Sequence, residues 1–280
     1  MTAAQSAGAN TNRGYAIGLA RAFGGAIIFA LPLLMTMEMW FLGFYLQPTR
    51  LILFLLLNFV VLVGLSRFAG FEPTSGLRDD LLDALAACAV GIVAAAIVLV
   101  LFGVIGPGMM VDEIAGKIAI QSVPASFGAM LANKQFGNEE AGEEEAADER
   151  AGYGGQLFLM TAGALFLAFN MAPTEEMVLI SYQMSPWQEI GLVLLSILLL
   201  HAFVYSVGFG GQEEAPAGSG PLRTFLGYTL AGYGIALVVS LYVLWTFGRT
   251  DGAELSQIAG MVTVLGFPAA IGAAIARLVV

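Results

Sequence analysis

Eight apolar stretches organise this chain, at roughly 21–46, 51–70, 81–107, 111–133, 153–173, 187–210, 224–248 and 255–279. Each is long enough to cross a bilayer, since about 20 apolar residues span its hydrocarbon core as a helix. A helix also satisfies its own backbone hydrogen bonds, which lipid requires of any crossing segment. The alternative, a β-barrel, needs segments of about ten residues with alternating polarity, and nothing here alternates in that way. The pattern predicts an all-α, polytopic membrane bundle of about eight transmembrane helices.

Composition closes off other classes. Of 280 residues, 58% are hydrophobic and 11% charged, where a soluble domain carries about 25% charged residues. A net charge of −10 and a single cysteine exclude a nucleic-acid partner and a disulfide scaffold. The polar N-terminus, MTAAQSAGANTNRGYA, lacks the charged region and short apolar core of a removable signal peptide. Residues 1–13 read as a tail, and the first span as the targeting signal.

Basic residues orient the bundle. With eight spans, Arg13, Arg21, Arg67, Arg78, Lys134, Arg150, Arg223 and Arg277 fall on one side. Arg50 and Arg249 fall on the other, and Lys117 lies within a span. Lys and Arg stay in cytoplasmic loops, so both termini are expected in the cytoplasm of a bacterial cell, with the chain in its inner (plasma) membrane.

The chain also repeats itself. Shifted by 138, residues 24–71 align with 162–209 without a gap, with 13 identities in 48 positions. Matched residues include Thr36/Thr174, Glu38/Glu176, Met39/Met177, Pro48/Pro186 and Gly70-Phe71/Gly208-Phe209. At an offset of 145, Leu77-Arg78 meets Leu222-Arg223, and at 144 residues 114–132 meet 258–276. The reading is two four-helix repeats, 14–135 and 152–280, joined by an acidic cytoplasmic linker, 136–151. Seven carboxylates between 138 and 150 cannot form a core, so the linker reads as solvated; GQEEAPAGSGP (211–221) reads as a second one. Four crossings per half make the repeats parallel. If segments 1 and 5 turned back at Pro32 and Pro173, the repeats would be inverted, an arrangement that the basic-residue asymmetry disfavours. Small residues mark helix contacts: Ala87, Gly91 and Ala95, matched by Gly232, Ala236 and Ser240, then Ala125/Ala129 with Gly128/Ala132, and Ala269/Ala273 with Gly272/Ala276. In lipid such faces let backbones approach closely.

Ionisable groups inside a membrane cost about 2.5 kcal/mol or more, so they need a partner or a task. Glu38 and Glu176 are the leading candidates, with Glu175, Thr36 and Thr174 beside them. Each site follows a proline, which frees carbonyl oxygens. Carboxylate, hydroxyl and carbonyl oxygens suit a hard cation such as Ca²⁺ or Na⁺, or a proton relay. The competing reading is a wet helix end at the membrane interface. Asp112 and Glu113, Asn170 and His201 are secondary candidates. Lys117 is expected to pair with Glu113 one turn away or to snorkel, and His201 to be a hydrogen-bonded structural residue or a proton carrier. Asp83 reads as solvated and Cys88 as inert packing. The metal, if any, is unspecified. Motifs for ATP binding, zinc proteases, CxxC redox centres and serine hydrolases are absent. No cofactor is expected, and the chain does not read as an enzyme.

The runs GGAIIFALPLLMTMEMW and NMAPTEE, within the eight-span plan, resemble a bacterial family of integral membrane proteins of unassigned function. TMEMW and APTEE are its most specific marks, and the resemblance covers the chain from about residue 14 onward. It implies a fold and no catalytic residues. Partners read from the residues are the lipid bilayer and a cation, with no nucleic acid. The leading function is a cation (Ca²⁺, Na⁺ or H⁺) channel or secondary transporter, with Glu38 and Glu176 facing one another across the repeat axis. The alternative is an accessory or scaffolding subunit that meets a second copy or another membrane protein through Trp40, Phe41, Phe44 and Tyr45.

Overall fold

A computed structural model describes residues 3–69, 76–136, 152–205, 222 and 225–279. The acidic run 138–150, the linker 211–221 and the Gly70-Phe71/Gly208-Phe209 match lie outside the described residues. The chain divides into two compact units, Met1–Glu140 and Ala141–Val280. All regular structure among the described residues is helical, as the apolar pattern predicts, and eight helices are long and apolar enough to cross a membrane.

Unit 1 contains α1 (Ala3–Leu34), α2 (Met37–Tyr45), α3 (Pro48–Ala69), α4 (Leu77–Leu101) and α5 (Val111–Phe136). Its last helix is the hub, and α5 packs against each of the other four. Unit 2 contains α6 (Tyr153–Met171), α7 (Glu176–Gln183), α8 (Pro186–Tyr205), α9 (Ala231–Thr246) and α10 (Leu255–Val279), with a π-helical turn, Phe225–Leu230, leading into α9. There α10 packs against α6, α7, α8 and α9. Among the described residues each unit thus has five α-helices, four belonging to candidate spans and one short.

The short helices modify the sequence reading. The stretch 21–46 is two helices, because α1 stops at Leu34 and the chain restarts at Met37. Helix α1 also begins at Ala3, inside the segment read as a tail. In unit 2 the corresponding stop comes at Met171, just before Pro173, and α7 follows.

Hub helix α5 is rich in small and polar residues, and most of its span is buried within the unit. The α5 span is 72% buried, against 33% for α3, and it carries Lys117, Gln121, Ser122 and Ser126, all buried. Close approach comes from glycine. Gly25 on α1 and Gly128 on α5 meet so tightly that a Cβ on either would strike the other's carbonyl oxygen, and Gly163 and Gly272 do the same in unit 2. Gly91 lies against the α5 backbone at Ser122 and Ser126. The remaining stripe residues on α4 and α9 are buried too, as small-residue packing requires. The loops after α4 and α9 turn through glycines with positive φ, Gly103 and Gly108 in one, Gly248 and Gly252 in the other. A side chain at those positions would be strained.

Candidate functional site

The α1–α2 break is built from its carbonyls. A helix leaves its last four C=O groups without helical donors, and here every one from Leu31 to Leu34 is served. Met35 N–H donates to Leu31, the Thr36 hydroxyl to Pro32, and Thr36 N–H to Leu33 at 3.0 Å. The Gln121 amide of α5 also donates to the Leu33 carbonyl at 3.0 Å, and the Trp40 indole donates to Leu34 at 2.8 Å. Thr36 occupies the N-cap position of α2 but makes no side-chain cap, because its hydroxyl points back to Pro32. That leaves Glu38 as the acidic group in the first turn of α2, where a carboxylate is favoured by the helix dipole. Glu38 is half-buried and makes no hydrogen bond or ion pair among the described residues.

In unit 2 the Thr174 hydroxyl and N–H both turn back to the Met171 carbonyl. Arg249, from the loop after α9, donates to the Pro173 carbonyl and sits 4.0 Å from Glu175. A guanidinium therefore fills the place beside the Pro173 carbonyl where the sequence suggested a bound cation. Glu175 is exposed, and Glu176, in the first turn of α7, is exposed and makes no hydrogen bond or ion pair among the described residues. The matched acids Glu38 and Glu176 hold equivalent places within their own units, each opening a short helix after a proline-marked stop. They sit past the ends of the apolar helices Ile17–Leu34 and Tyr153–Met171, each on the short helix that follows.

The secondary candidates are largely partnered. Glu113 pairs with Lys117 at 2.7 Å, the two side chains being 20% and 9% exposed. The i, i+4 spacing anticipates this pair. Asp112 is exposed beside them. Asn170 donates to the Phe166 carbonyl of its own helix at 2.7 Å, a structural bond. His201 Nδ1 is 2.8 Å from the Thr229 hydroxyl in the π-helical turn, and its ring meets Phe225 edge-on. Among the described residues, no cluster of three His, Cys, Asp or Glu side chains is placed to hold a metal ion.

One polar cluster escaped sequence reasoning. Asp80 is 2% exposed, and Arg67 Nε donates to it at 3.0 Å. The Ser66 hydroxyl lies 3.5 Å from Asp80 and 3.1 Å from Asp83, so Asp83 is held by a neighbour and is not simply solvated. A signal was present in two acids three residues apart at the start of an apolar run that follows Ser66-Arg67.

Residues 18–280 match the profile of a family described as "Putative integral membrane protein (DUF2391)". No curated protein and no solved structure matches the chain.

Proposed function

The chain belongs to this family of integral membrane proteins, and from that premise we propose that it is a cation channel or secondary transporter, not an enzyme. One observation carries the reading: Glu38 and Glu176, related by the sequence repeat, both lack a side-chain partner among the described residues, at equivalent helix restarts. Neighbouring acids differ, since Glu113 is neutralised by Lys117 and Glu175 faces Arg249. A carboxylate without its own counter-ion attracts cations, and Glu175, Thr36 and Thr174 supply further oxygens nearby. In proteoliposomes, the double variant Glu38→Gln/Glu176→Gln should reduce Na⁺, Ca²⁺ or H⁺ flux by about tenfold or more. Undiminished flux removes both residues from the mechanism.

A second reading, an accessory subunit docking on another membrane protein or on a second copy, draws on α2. Phe41, Phe44 and Tyr45 are exposed there at 49, 54 and 63%, and Phe41 stacks on Tyr45. Absence of flux in the wild-type protein, with a stable complex on native gels, favours this reading over transport.

The proposed setting is the bacterial inner membrane with both termini cytoplasmic, because eight of the eleven basic residues share that side. A phosphatase fused after Val280 should be inactive, whereas a cytoplasmic fluorescent reporter there should be bright. The opposite pair of results inverts the orientation.

A further inference from the structure

Helix α5 carries Glu113, Lys117 and Gln121 four residues apart. That spacing lines them along one helix face over a rise of about 12 Å. Lys117 Nζ lies 2.7 Å from a Glu113 carboxylate oxygen and 3.5 Å from the Val104 carbonyl. Gln121 is fully buried. Its amide nitrogen donates to Leu33, but its side-chain oxygen is buried without a hydrogen-bond partner among the described residues. An unmet acceptor in such a place costs about 1–3 kcal/mol.

The fold does not demand this ladder. At the matched positions of α10 the chain has Gln257, Met261 and Leu265, and α10 is the same kind of hub. A partly exposed ion pair with an orphaned amide oxygen one turn on is therefore not a requirement of a hub helix. We propose that Glu113 is a proton-binding site and that Lys117 reports its state by changing acceptors. With Glu113 ionised, the Lys117 ammonium is held by the carboxylate. A hydronium ion from the aqueous phase then gives a proton to a carboxylate oxygen: its O–H bond breaks to leave water, the new O–H bond forms, and the negative charge is cancelled. Lys117 keeps all of its own protons and turns one N–H toward the Gln121 side-chain oxygen. The site passes from net neutral to a charge of +1, and proton loss reverses each step.

The side-chain geometry suits the exchange. Helical side chains lean toward the N-terminus, so Gln121 reaches back over the turn that carries Lys117. Lysine has rotatable donors on a flexible stem, whereas arginine presents a rigid fork. Other ionisable groups lie at this end of unit 1. Helix α2 contributes Glu38 and Tyr45, α5 contributes Asp112, and α3 contributes Arg50. On α1 the ionisable group preceding Leu33 is Arg21, twelve residues away, or about 18 Å. On α4, Arg78, Asp79, Asp80, Asp83 and Cys88 lie thirteen or more residues before Leu101, or about 20 Å or more.

Infrared difference spectra between alkaline and acidic pH test this on full-length protein in liposomes, labelled with ¹³C at the glutamine side-chain carbonyl. The Gln121 band is assigned by its loss in Gln121→Leu, and the Glu113 carboxyl band by its loss in Glu113→Gln. In the wild type the Gln121 band should shift to lower frequency as the Glu113 carboxyl protonates. In Glu113→Gln it should stay at the acid position at every pH, and in Lys117→Met at the alkaline position. The residues found in α10 show that these substitutions suit a hub helix. If Lys117→Met does not fold, the locked band of Glu113→Gln still decides. A Gln121 band that stays still while Glu113 titrates, or a Glu113 that does not titrate, overturns the proposal. No transport activity enters the readout, so it stands or falls apart from the flux experiment.

Discussion

Alanine in place of Gly25 should break the packing of α1 on α5 and cost unit 1 most of its stability, while alanine at the adjacent Gly24 should be harmless. A Cβ at Gly25 would come within 2.5 Å of the Gly128 carbonyl oxygen and 2.6 Å of the Ala132 Cβ. The first obstruction is backbone, so no rotamer change relieves it, and α5 is held in place by the rest of the unit. Overpacking of this kind costs about 1–3 kcal/mol, occasionally more. A clash with the backbone of the hub helix places Gly25→Ala at about 3 kcal/mol or above. Gly24 has nothing within 4 Å of its Cβ position, and alanine is the better helix former by up to about 1 kcal/mol. Unfolding in mixed SDS micelles, followed by circular dichroism, separates the two variants. Gly163→Ala should repeat the Gly25 result in unit 2, where Gly272 and Ala276 are the obstructing residues. Equal stability of the Gly24 and Gly25 variants would show that backbone contact is not what joins these helices.

The parts of this architecture that depend on local chemistry were legible in the sequence. Eight spans follow from length and apolarity, and the Glu113–Lys117 pair from its spacing. The small-residue stripes on α4, α5, α9 and α10 face inward, as close helix packing demands. What escaped depends on residues distant in sequence. Pro32 marks residues 21–46 as a run that could be interrupted, but nothing local fixes the break at Met35–Thr36. Part of the interruption is the bond from Gln121 to Leu33, which spans 88 positions. Arg249 looked like an ordinary loop charge, and its role at Pro173 depends on a contact across 76 positions. The same limit hid how the Thr36, Thr174 and Pro173 oxygens are engaged. The threonine hydroxyls turn back onto their own helices, and the Pro173 carbonyl accepts from the protein's own guanidinium.

Neutralising Arg67 should cost more stability than neutralising its partner Asp80, although the two share one ion pair. The asymmetry comes from exposure, 63% for the Arg67 side chain and 2% for Asp80. In Asp80→Asn the charge left behind is the arginine, which is already largely in water. The loss should therefore resemble that of a surface pair, about 0.5–1 kcal/mol. In Arg67→Gln the charge left behind is a buried carboxylate. The Ser66 hydroxyl cannot compensate, because it has one proton to donate and lies closer to Asp83 than to Asp80. Stripping a buried ion of its partner costs about 3–5 kcal/mol, and the water that reaches Arg67 reduces this to about 2 kcal/mol. The double variant Arg67→Gln/Asp80→Asn should be more stable than Arg67→Gln alone, because it removes the stranded charge. At the matched positions unit 2 has Tyr205 and Phe225, so a neutral pair is compatible with this kind of five-helix unit. The same detergent unfolding measurement decides: a double variant weaker than Arg67→Gln would mean that the pair matters for packing, with charge playing little part.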